Sequence, residues 1–479
     1  MSPPQPPMDL DAARRLLADH GQAHLLDFWP RLDEARRAAL LADIAQIDLP
    51  LCDRLVASHV RRSEPAALPA RIEPVEIWPA TPDAARQDVY RRARELGEEA
   101  VRAGRVAAFM VAGGQGTRLG FDGPKGMFSV SPVRGATLFQ LFAEGLARAG
   151  ERWGRPIPWY IMTSDANHDD TVRYFSANRH FGLSEDDVRF FQQGMMPAFF
   201  PDGRIVLAEP HRVALSPDGH GGSLRALAAS GALDDMRRRG VEVLSYFQVD
   251  NPLVQMVDPL FIGLHLLTGS EMSSKAVTKA HDLERVGNFC RADGKVAVIE
   301  YSDLPESLAR ARNADGGRRF DAGSLAIHVL SREFIERLTT PGSAVELPWH
   351  RAEKKVPTID ADGRPVSPDR PNAIKLEMFI FDAIPLARNP LVLYTRREEE
   401  FSPVKNAEGD DSPATARRDM IRRAARWLEA AGVAVPRGAD GEPAAKVEIS
   451  PRLALDADDL RARLRKRPEL RPGDAVVIE

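Results

Sequence analysis

The segment from Arg105 to Gly126, RVAAFMVAGGQGTRLGFDGPKG, constrains the fold more than any other part of the chain. It begins with an apolar run, Val106 to Val111, whose length predicts a buried β-strand. The run leads into a loop with glycine at Gly113, Gly114, Gly116 and Gly120. Because glycine has no Cβ atom, the N–H groups of such a loop can approach an anion closely. Arg118 and Lys125 add two cations, so the segment predicts a polyphosphate-binding loop at the end of a strand.

Two common glycine-rich loops do not fit this segment. The dinucleotide fingerprint G-x-G-x-x-G would use Gly114 and Gly116, but Leu119 occupies its third glycine position. The P-loop G-x-x-x-x-G-K-[ST] needs a hydroxyl residue after its lysine, and Gly126 follows Lys125. The remaining pattern, GGxGTRLGxxxPK, is typical of sugar nucleotidyltransferases. A tight strand-to-helix turn without a ligand is the alternative that the loop alone leaves open.

The overall composition argues against several other classes of protein. A formal net charge of -4 argues against a broad basic face for nucleic acid. Cys52 and Cys290 have no partner at metal-ligand spacing, so neither a disulfide framework nor a zinc site is expected. The first residues lack the apolar region of a signal peptide, and no apolar stretch approaches the ~20 residues of a membrane helix. The sequence therefore predicts a cytoplasmic protein without nucleic-acid or membrane partners.

Strands and helices alternate through the middle of the chain. After the glycine loop, apolar runs at residues 158–162, 188–191 and 241–249 are separated by segments with helical patterns. This alternation predicts an α/β fold with a mixed, mostly parallel central sheet and helices on both faces. Ligands of such sheets bind at the carboxyl ends of the strands. Asp250 follows the last of these runs, so it is a candidate carboxylate for Mg²⁺.

The chain divides into three predicted parts. We expect a helical N-terminal region over residues 1–104, a catalytic nucleotidyltransferase domain over 105–395 and a small α+β C-terminal domain over 396–479. Within the catalytic part, single helices are expected at residues 223–238 and 377–386, and antiparallel hairpins are expected after Gly269.

These features fit one reaction, the attack of a sugar 1-phosphate oxygen on the α-phosphorus of a nucleoside triphosphate. A phosphate nucleophile is already ionised at neutral pH, so the reaction needs no general base. The protein has to align the reactants and neutralise charge, for which an amide-rich loop, cations and a carboxylate for Mg²⁺ are suited.

Many short motifs together resemble one family, the eukaryotic-type UDP-N-acetylglucosamine pyrophosphorylases of the UDP-glucose/UDP-sugar pyrophosphorylase superfamily. The motifs are VAGGQGTRLG, PKGM, IPWYIMTS, FFQQGMMPA, PDGHGG, VDNPLV, VIEYSD, FDAGSLAIH, PNAIKLEMFIFD and EEEFSPVKNAEGDDSPATAR. Together with HLLDFWPRL near the N-terminus, they run in one order from about residue 20 to residue 420. The resemblance implies a GT-A-like core, similar to the nucleotide-binding sheet of glycosyltransferases, and an enzyme that transfers uridylate from UTP to a sugar 1-phosphate with Mg²⁺.

The resemblance also implies roles for individual residues. The catalytic cations would be Arg118 and Lys125. The nucleotide would be bound by Ala112, Gly113, Gly114, Gln193, Gly219 and Lys375, with Gln193 at the uracil edge. The sugar phosphate would be bound by His220, Glu300, Tyr301, Ser324 and Lys405. Asp250 would bind the magnesium ion.

Three residues depart from the family pattern. His220 stands where the acetylglucosamine enzymes have the asparagine of DGNGG, and Asp321 and Ser324 replace the asparagines of FNAGN. An imidazole differs from an amide in size and in its hydrogen-bond donors. The sequence therefore predicts UDP-N-acetylglucosamine as the product and leaves UDP-glucose or UDP-galactose as the alternative.

Two further classes stay open at this point. One is a nucleotide-binding regulatory protein without catalysis, and the other is a dehydrogenase-type enzyme, which the missing third glycine disfavours. The sequence does not fix the oligomeric state.

Overall fold

The computed structural model describes residues 8–62, 68–340, 342–343 and 346–479. Its helices are α1 (Leu10–Asp19), α2 (Glu34–Ala45), α3 (Leu49–Leu55), α4 (Gln87–Arg102), α5 (Leu138–Trp153), α6 (His168–Ala177), α7 (Gly222–Ala229), α8 (Ala232–Arg239), α9 (Pro259–Leu267), α10 (Glu306–Ala309), α11 (Arg332–Thr339), α12 (Arg397–Glu400), α13 (Pro413–Ala430) and α14 (Ala457–Arg463). Its strands are β1 (Ile72–Glu73), β2 (Val106–Val111), β3 (Trp159–Thr163), β4 (Val188–Gln192), β5 (Met195–Pro197), β6 (Leu207–Glu209), β7 (Arg212–Val213), β8 (Leu215–Pro217), β9 (Val243–Gln248), β10 (Met272–Thr278), β11 (Asn288–Ala292), β12 (Lys295–Ile299), β13 (Ala322–Ser331), β14 (His350–Lys354), β15 (Thr358–Ile359), β16 (Pro365–Val366), β17 (Ala373–Glu377), β18 (Leu391–Tyr394), β19 (Lys446–Ile449) and β20 (Ala475–Ile478).

The larger of two compact units contains the central sheet. This unit comprises Pro69–Gln192, Leu227–Val345 and Ala383–Glu479. Its main row of strands is β4–β3–β2–β9–β13–β10–β18, and β11 carries β12 and β1 beside β13. Only β13 runs against the other strands of this row. The carboxyl ends of its parallel strands therefore share one edge, which confirms the mixed, mostly parallel sheet predicted from the sequence.

The first strand of the predicted core, β2, is covered on both faces. Its residues from Val106 to Met110 are at most 1% exposed. Phe109 packs edge-on against Tyr246 of β9, with ring centroids 5.3 Å apart, while Met110 belongs to the apolar core on the opposite face. Such burial requires every residue of the strand to be apolar, which is why this run was recognisable in the sequence.

Three expectations about local structure need correction. The helix expected at 223–238 is two helices, α7 and α8, because Gly231 adopts a left-handed conformation (φ 72°) and interrupts it. The helix expected at 377–386 starts later: Glu377 ends strand β17, and a 3₁₀ helix spans Ile380–Leu386. After Gly269, β11 and β12 form the expected hairpin, but β10 also pairs in parallel with β18.

The C-terminal part of the larger unit has an apolar core of its own. Helices α13 and α14 pack with the parallel pair β19–β20 around residues such as Leu428, Val447 and Leu460. Buried charges connect this part to α5. Arg148 of α5 bonds both carboxylate oxygens of Asp459 at 3.0 and 2.5 Å, with both side chains at most 7% exposed.

Alanine at Arg148 should destabilise the protein by about 3 kcal/mol, because it leaves the carboxylate of Asp459 buried without its main partner. The matched control is Arg461→Ala, which breaks the exposed pair of Arg461 with Asp458 and should change stability by less than about 1 kcal/mol. Urea unfolding followed by fluorescence compares the two. Equal effects of both substitutions would show that the buried pair is not an anchor of the C-terminal part.

The smaller unit comprises Met1–Leu68, Gln193–Ala226 and Glu346–Asp382. Hydrogen bonds join these three segments. The side chain of Gln22 donates to the carbonyl of Gly203 (3.1 Å) and accepts the N–H of Ile205 (2.9 Å). Backbone hydrogen bonds between Phe199 and Ile374 join the second segment to the third.

The helices in the described part of the chain include none that is long and apolar enough to cross a membrane. The division into parts at residues 104 and 395 stays a prediction. Each of the two compact units combines three separate segments of the chain, so neither tests these boundaries.

Candidate active site

The loop after β2 presents open backbone amides. Ala112 continues the strand by donating its N–H to Met162 (2.7 Å). The side-chain amide of Asn167 then donates to the carbonyls of Ala112 (3.0 Å) and Gly114 (3.3 Å), which fixes the direction of the loop. Among the described residues, no hydrogen bond uses the N–H of Gly113 or Gly114. Two adjacent free amides at the end of a buried strand can bind phosphate oxygens.

Lys125 lies beside this loop. Its backbone N–H donates to the carbonyl of Gly114 (3.1 Å). A Cβ atom built on Gly114 would meet only the Cε atom of Lys125, at 4.0 Å, so the side chain runs along the glycine. Arg118, on a 3₁₀ turn of the same loop, is exposed, and its guanidinium has no partner within the described residues. The structure thus brings Ala112, both glycines and Lys125 together.

The candidate metal ligand Asp250 follows β9 at the same edge of the sheet. Its carbonyl accepts the N–H of Val404 (2.8 Å), so the next residue, Lys405, is held in this region too. The ammonium of Lys405 lies 3.7 Å from the carboxylate of Asp411 and 5.7 Å from the ring centre of Phe401. Burial raises the pKa of Asp411, and the charge of Asp250 adds to the rise. Asp250, Lys405 and Asp411 therefore form one charged group.

Two of the candidate sugar-binding residues, Glu300 and Ser324, lie beside Gly287. A Cβ atom on this glycine would lie 3.4 Å from Oε1 of Glu300 and 3.8 Å from Cβ of Ser324. The N–H of Ser324 donates to the carbonyl of Gly287 (2.8 Å), which sets the start of β13 beside the start of β11. Tyr301 follows Glu300 and is 48% exposed.

The remaining candidates lie in the smaller unit. The side-chain amide of Gln193 donates to the carbonyl of Gly219 at 2.7 Å and to the carboxylate of Asp218 at 3.4 Å. Gly219 has φ 85°, and a Cβ atom there would lie 2.3 Å from the carbonyl oxygen of Met378, so only glycine fits. Gln193 and Gly219 are thus adjacent, as their shared predicted role requires.

His220 is a neutral ring packed among aromatic side chains. Its neighbours are Phe379 and Phe381, with ring centroids at 5.4 and 5.8 Å. Burial lowers its pKa to about 4. Its Nδ1 atom accepts the N–H of Ile380 (3.1 Å), which assigns the ring proton to Nε2. Lys375, the last candidate, is half-buried on β17, opposite Ala352 of β14.

Asp218, next to Gln193, should make stability depend on pH. Burial raises its pKa from 3.8 to about 7. The protonated carboxyl therefore stabilises the folded state fully below its ordinary pKa, and this contribution is lost as the pH rises through about 7. Asp218→Asn should remove this loss of stability at higher pH, because asparagine does not ionise. Urea unfolding of both proteins at about pH 5 and about pH 8 measures it, and an unchanged pH dependence in the variant would contradict the assignment.

The arrangement can bind a polyphosphate more readily than it can bind a metal ion by protein groups alone. Among the described residues, no three histidine, cysteine, aspartate or glutamate side chains are grouped to hold a metal. Magnesium commonly binds one or two protein carboxylates and completes its shell with phosphate oxygens and water. Asp250 fits that kind of site.

Comparison with known proteins places the chain in a family. The family model described as UTP–glucose-1-phosphate uridylyltransferase (UDPGP) matches residues 70–437. The chain belongs to the UDPGP family. The match covers the glycine loop, Asp250, Lys405 and the strands that carry the other candidates.

Similar UDPGP-family proteins cover almost the whole chain. The human UDP-N-acetylhexosamine pyrophosphorylase-like protein 1 is 39% identical, over 95% of this chain and 94% of that protein. The UDP-N-acetylglucosamine pyrophosphorylase of Saccharomyces cerevisiae is 34% identical, over 93% of this chain and 96% of its own length. The solved structure of the Trypanosoma brucei UDP-N-acetylglucosamine pyrophosphorylase, 28% identical, superimposes with a TM-score of 0.82 over 96% of each chain.

Three residues that contact the candidates were not themselves predicted from the sequence. Asn167 sits in the loop after the neighbouring strand β3, where strand ends converge, and this position was the available signal. Asp411 lies inside the recognised motif that contains Lys405, so its acidic character could have marked it. Nothing in the sequence pointed to Asp218 as the partner of Gln193.

Proposed function

We propose that this chain is a UTP:sugar-1-phosphate uridylyltransferase that forms UDP-N-acetylglucosamine and pyrophosphate from UTP and N-acetylglucosamine 1-phosphate. The observation that carries the proposal is the loop after β2, where the free amides of Gly113 and Gly114 lie beside Lys125. Membership of the UDPGP family supports it, and so do relatives named as UDP-N-acetylglucosamine pyrophosphorylases. The enzyme class is that of the nucleotidyltransferases.

The chemistry needs no proton transfer. An oxygen of the sugar phosphate attacks the α-phosphorus of UTP, and the bond from that phosphorus to the β-phosphate oxygen breaks, so pyrophosphate leaves with the bonding electrons. Charge builds on the departing pyrophosphate in the transition state. We assign Lys125 and Arg118 to this charge, with the amides of Gly113 and Gly114 and the adjoining Ala112 along the nucleotide.

We propose Mg²⁺ as the cofactor, with Asp250 as its protein ligand. When bound, the ion would supply additional positive charge at the phosphates. Lys405 would approach the sugar phosphate from the segment that bonds Asp250, and Lys375 would bind the nucleotide phosphates. Both lysines would act as simple point charges.

The base and the sugar would be selected by separate groups. Because the Gln193 amide nitrogen is bound to Gly219, its Oε1 atom is the group we assign to the N3–H of uracil. Glu300 and Ser324 would bind the sugar, with Tyr301 at the exposed side. The Nε2–H of His220 can donate one hydrogen bond, as the asparagine amide of the family motif can.

A hexose 1-phosphate, of glucose or galactose, is the second candidate substrate. The observation that favours it is the loss of both asparagines of the family motif: Ser324 is too short to replace an amide, and Asp321 pairs with Arg318 at 3.3 Å. A lost hydrogen bond to a substrate group can change selectivity by about a hundredfold or more.

Pyrophosphate release by the purified protein tests the proposal. UTP and Mg²⁺ are supplied with the 1-phosphates of N-acetylglucosamine, N-acetylgalactosamine, glucose and galactose. We expect the highest kcat/KM with N-acetylglucosamine 1-phosphate, by about tenfold or more over glucose 1-phosphate. A higher kcat/KM with glucose 1-phosphate would make a hexose 1-phosphate the substrate in place of N-acetylglucosamine 1-phosphate. No release with any of them, together with UTP binding by calorimetry, would favour a regulatory protein instead.

The cytoplasm is the compartment we propose. Both cysteines, Cys52 and Cys290, are free thiols buried in the fold, which suits a reducing environment. UTP and a sugar 1-phosphate are the proposed binding partners.

A further inference from the structure

A buried lysine with two carboxylate partners lies within the larger unit, outside the candidate active site. Lys275 of β10 is 1% exposed. Its ammonium contacts Oδ2 of Asp258 at 2.7 Å and both oxygens of Glu400 at 2.6 Å. Thr395 also donates its hydroxyl to Glu400, at 2.6 Å. Lys275, Asp258 and Glu400 are called the buried triad below.

The buried triad is energetically unfavourable compared with apolar side chains in the same place. Removing three charges from water costs several kcal/mol for each ion, and apolar side chains of the same volume often stabilise a fold as well or better. Burial alone would lower the pKa of Lys275, but the carboxylates of Asp258 and Glu400 raise it, so the ammonium keeps its charge. A role in holding a specific geometry explains such a group better than a role in stability.

Glu400 connects the buried triad to the candidate metal ligand. Its carbonyl accepts the side-chain amide of Asn251 (2.7 Å), the residue after Asp250. The Oδ1 atom of Asn251 in turn accepts the N–H of Ser402 (3.1 Å). Two residues further, Val404 donates its N–H to the carbonyl of Asp250 (2.8 Å). Three hydrogen bonds therefore hold the segment from residue 400 to residue 405 against Asp250 and Asn251, which follow β9.

These hydrogen bonds fix the candidate metal ligand Asp250 relative to Lys405, the candidate residue for binding the sugar phosphate. Asp250 is at the end of β9, and Lys405 follows Val404 directly. The segment between Glu400 and Lys405 belongs to no helix or strand, although Phe401 at its start donates its N–H to the carbonyl of Arg397 (2.8 Å). Its anchors include the salt bridge of Lys275 with Glu400 and the bonds to Asn251 and Asp250, together with the bond from the Ser402 hydroxyl to Asp419 (2.8 Å).

We propose that Lys275 and Glu400 are positioning residues that align Lys405 with Asp250 for the attack of the sugar phosphate. The inference rests on the proposed function. Neither side chain touches the reactants. Misplacement of a catalytic group by about 1 Å can reduce the rate about a hundredfold, so weakening the anchor should slow the reaction of bound substrates. UTP binding should be spared, because the glycine loop and Lys125 do not depend on this segment.

The experiment compares Lys275→Met and Glu400→Gln with the wild type. Glu400→Gln keeps the size and most hydrogen bonds of the side chain, so it serves if Lys275→Met does not fold. We expect kcat to fall and the KM for the sugar 1-phosphate to rise, each by about tenfold, while the Kd of UTP stays within about twofold. Arg148→Ala is the control. It destabilises the protein through the buried pair with Asp459, away from the buried triad, and should leave the KM values for UTP and for the sugar 1-phosphate unchanged.

Two results would overturn the inference. One is a folded Glu400→Gln protein with kcat and both KM values within about twofold of the wild type. The other is an equal loss of UTP binding and sugar-phosphate binding, which would indicate a merely structural role. A wild-type protein that releases no pyrophosphate with any sugar 1-phosphate contradicts the proposed function instead, so the two failures are distinguishable.

Discussion

Alanine in place of Lys125 should lower kcat about a thousandfold, about 4 kcal/mol in the activation free energy, while the protein stays folded. The side chain runs along Gly114 beside two free amides, where the pyrophosphate would leave. Its contribution to the fold is small, because the bond to the Gly114 carbonyl comes from the backbone N–H, which alanine retains. Pyrophosphate release at saturating substrates measures the loss, and circular dichroism checks the fold.

Arg118→Ala should also lower kcat. Its guanidinium has no partner in the part of the chain that the structure describes, so its removal should not destabilise the fold. The control for charge alone is Lys295→Ala, on the exposed start of β12. Rates near the wild-type value in both the Lys125 and the Arg118 variants would remove the phosphate-binding assignment of this loop.

The second large effect is expected at Asp250. Asparagine has the same shape, and the backbone bond from Val404 to this residue does not involve the side chain. Only the carboxylate charge is lost, so the expected result is a fall in kcat of about a thousandfold at the Mg²⁺ concentration that saturates the wild type. A titration of activity with Mg²⁺ should show a higher half-saturating concentration for the variant.

The charged group around Asp250 offers a second readout for this substitution. Because the charge of Asp250 contributes to the raised pKa of Asp411, Asp250→Asn should lower the pKa of Asp411 toward its ordinary value. NMR titration of the carboxyl groups can follow this without any substrate. Asp303→Asn, at an exposed turn, is the control. An Asp250→Asn enzyme with the metal dependence of the wild type would rule out Asp250 as the ligand.

The sequence was most informative where burial and chemistry coincide. The strand β2 has to be apolar because both of its faces are covered, and Gly120 in the loop after it adopts a left-handed conformation (φ 69°) that favours glycine. The same two requirements produced the prediction of a phosphate loop. The position of Asp250 followed from the rule that strand ends converge, and the pairing of β2 with β9 places it as expected.

Long-range pairing was not visible in the sequence. The antiparallel strand β13 enters the sheet between β9 and β10, although its own pattern resembles that of the parallel strands. Likewise, Lys275 and Glu400 are 125 residues apart, and a lysine or a glutamate in a sequence is usually solvated. Only the fold shows that they share one buried site.

Local helix boundaries failed for a related reason. Helical spacing at residues 223–238 concealed the left-handed Gly231, which a helical pattern tolerates in sequence but not in conformation. At residues 377–386, Glu377 ends a strand because β14 pairs with it, and this partner lies more than twenty residues earlier in the chain. Tertiary pairing therefore overrode local propensity.

Phosphate binding by the loop after β2 is tested most directly by a calorimetric titration of UTP into three proteins, the wild type, Gly114→Ala and Gly150→Ala. A methyl group fits at both glycines in the folded protein, since its nearest neighbours would lie at 4.0 Å and 3.5 Å. Only at Gly114 would it obstruct a phosphate approaching the free amides. We expect equal Kd values for the wild type and Gly150→Ala and a Kd at least about tenfold higher for Gly114→Ala. Equal binding by all three proteins, or no UTP binding by the wild type, would contradict phosphate binding by this loop.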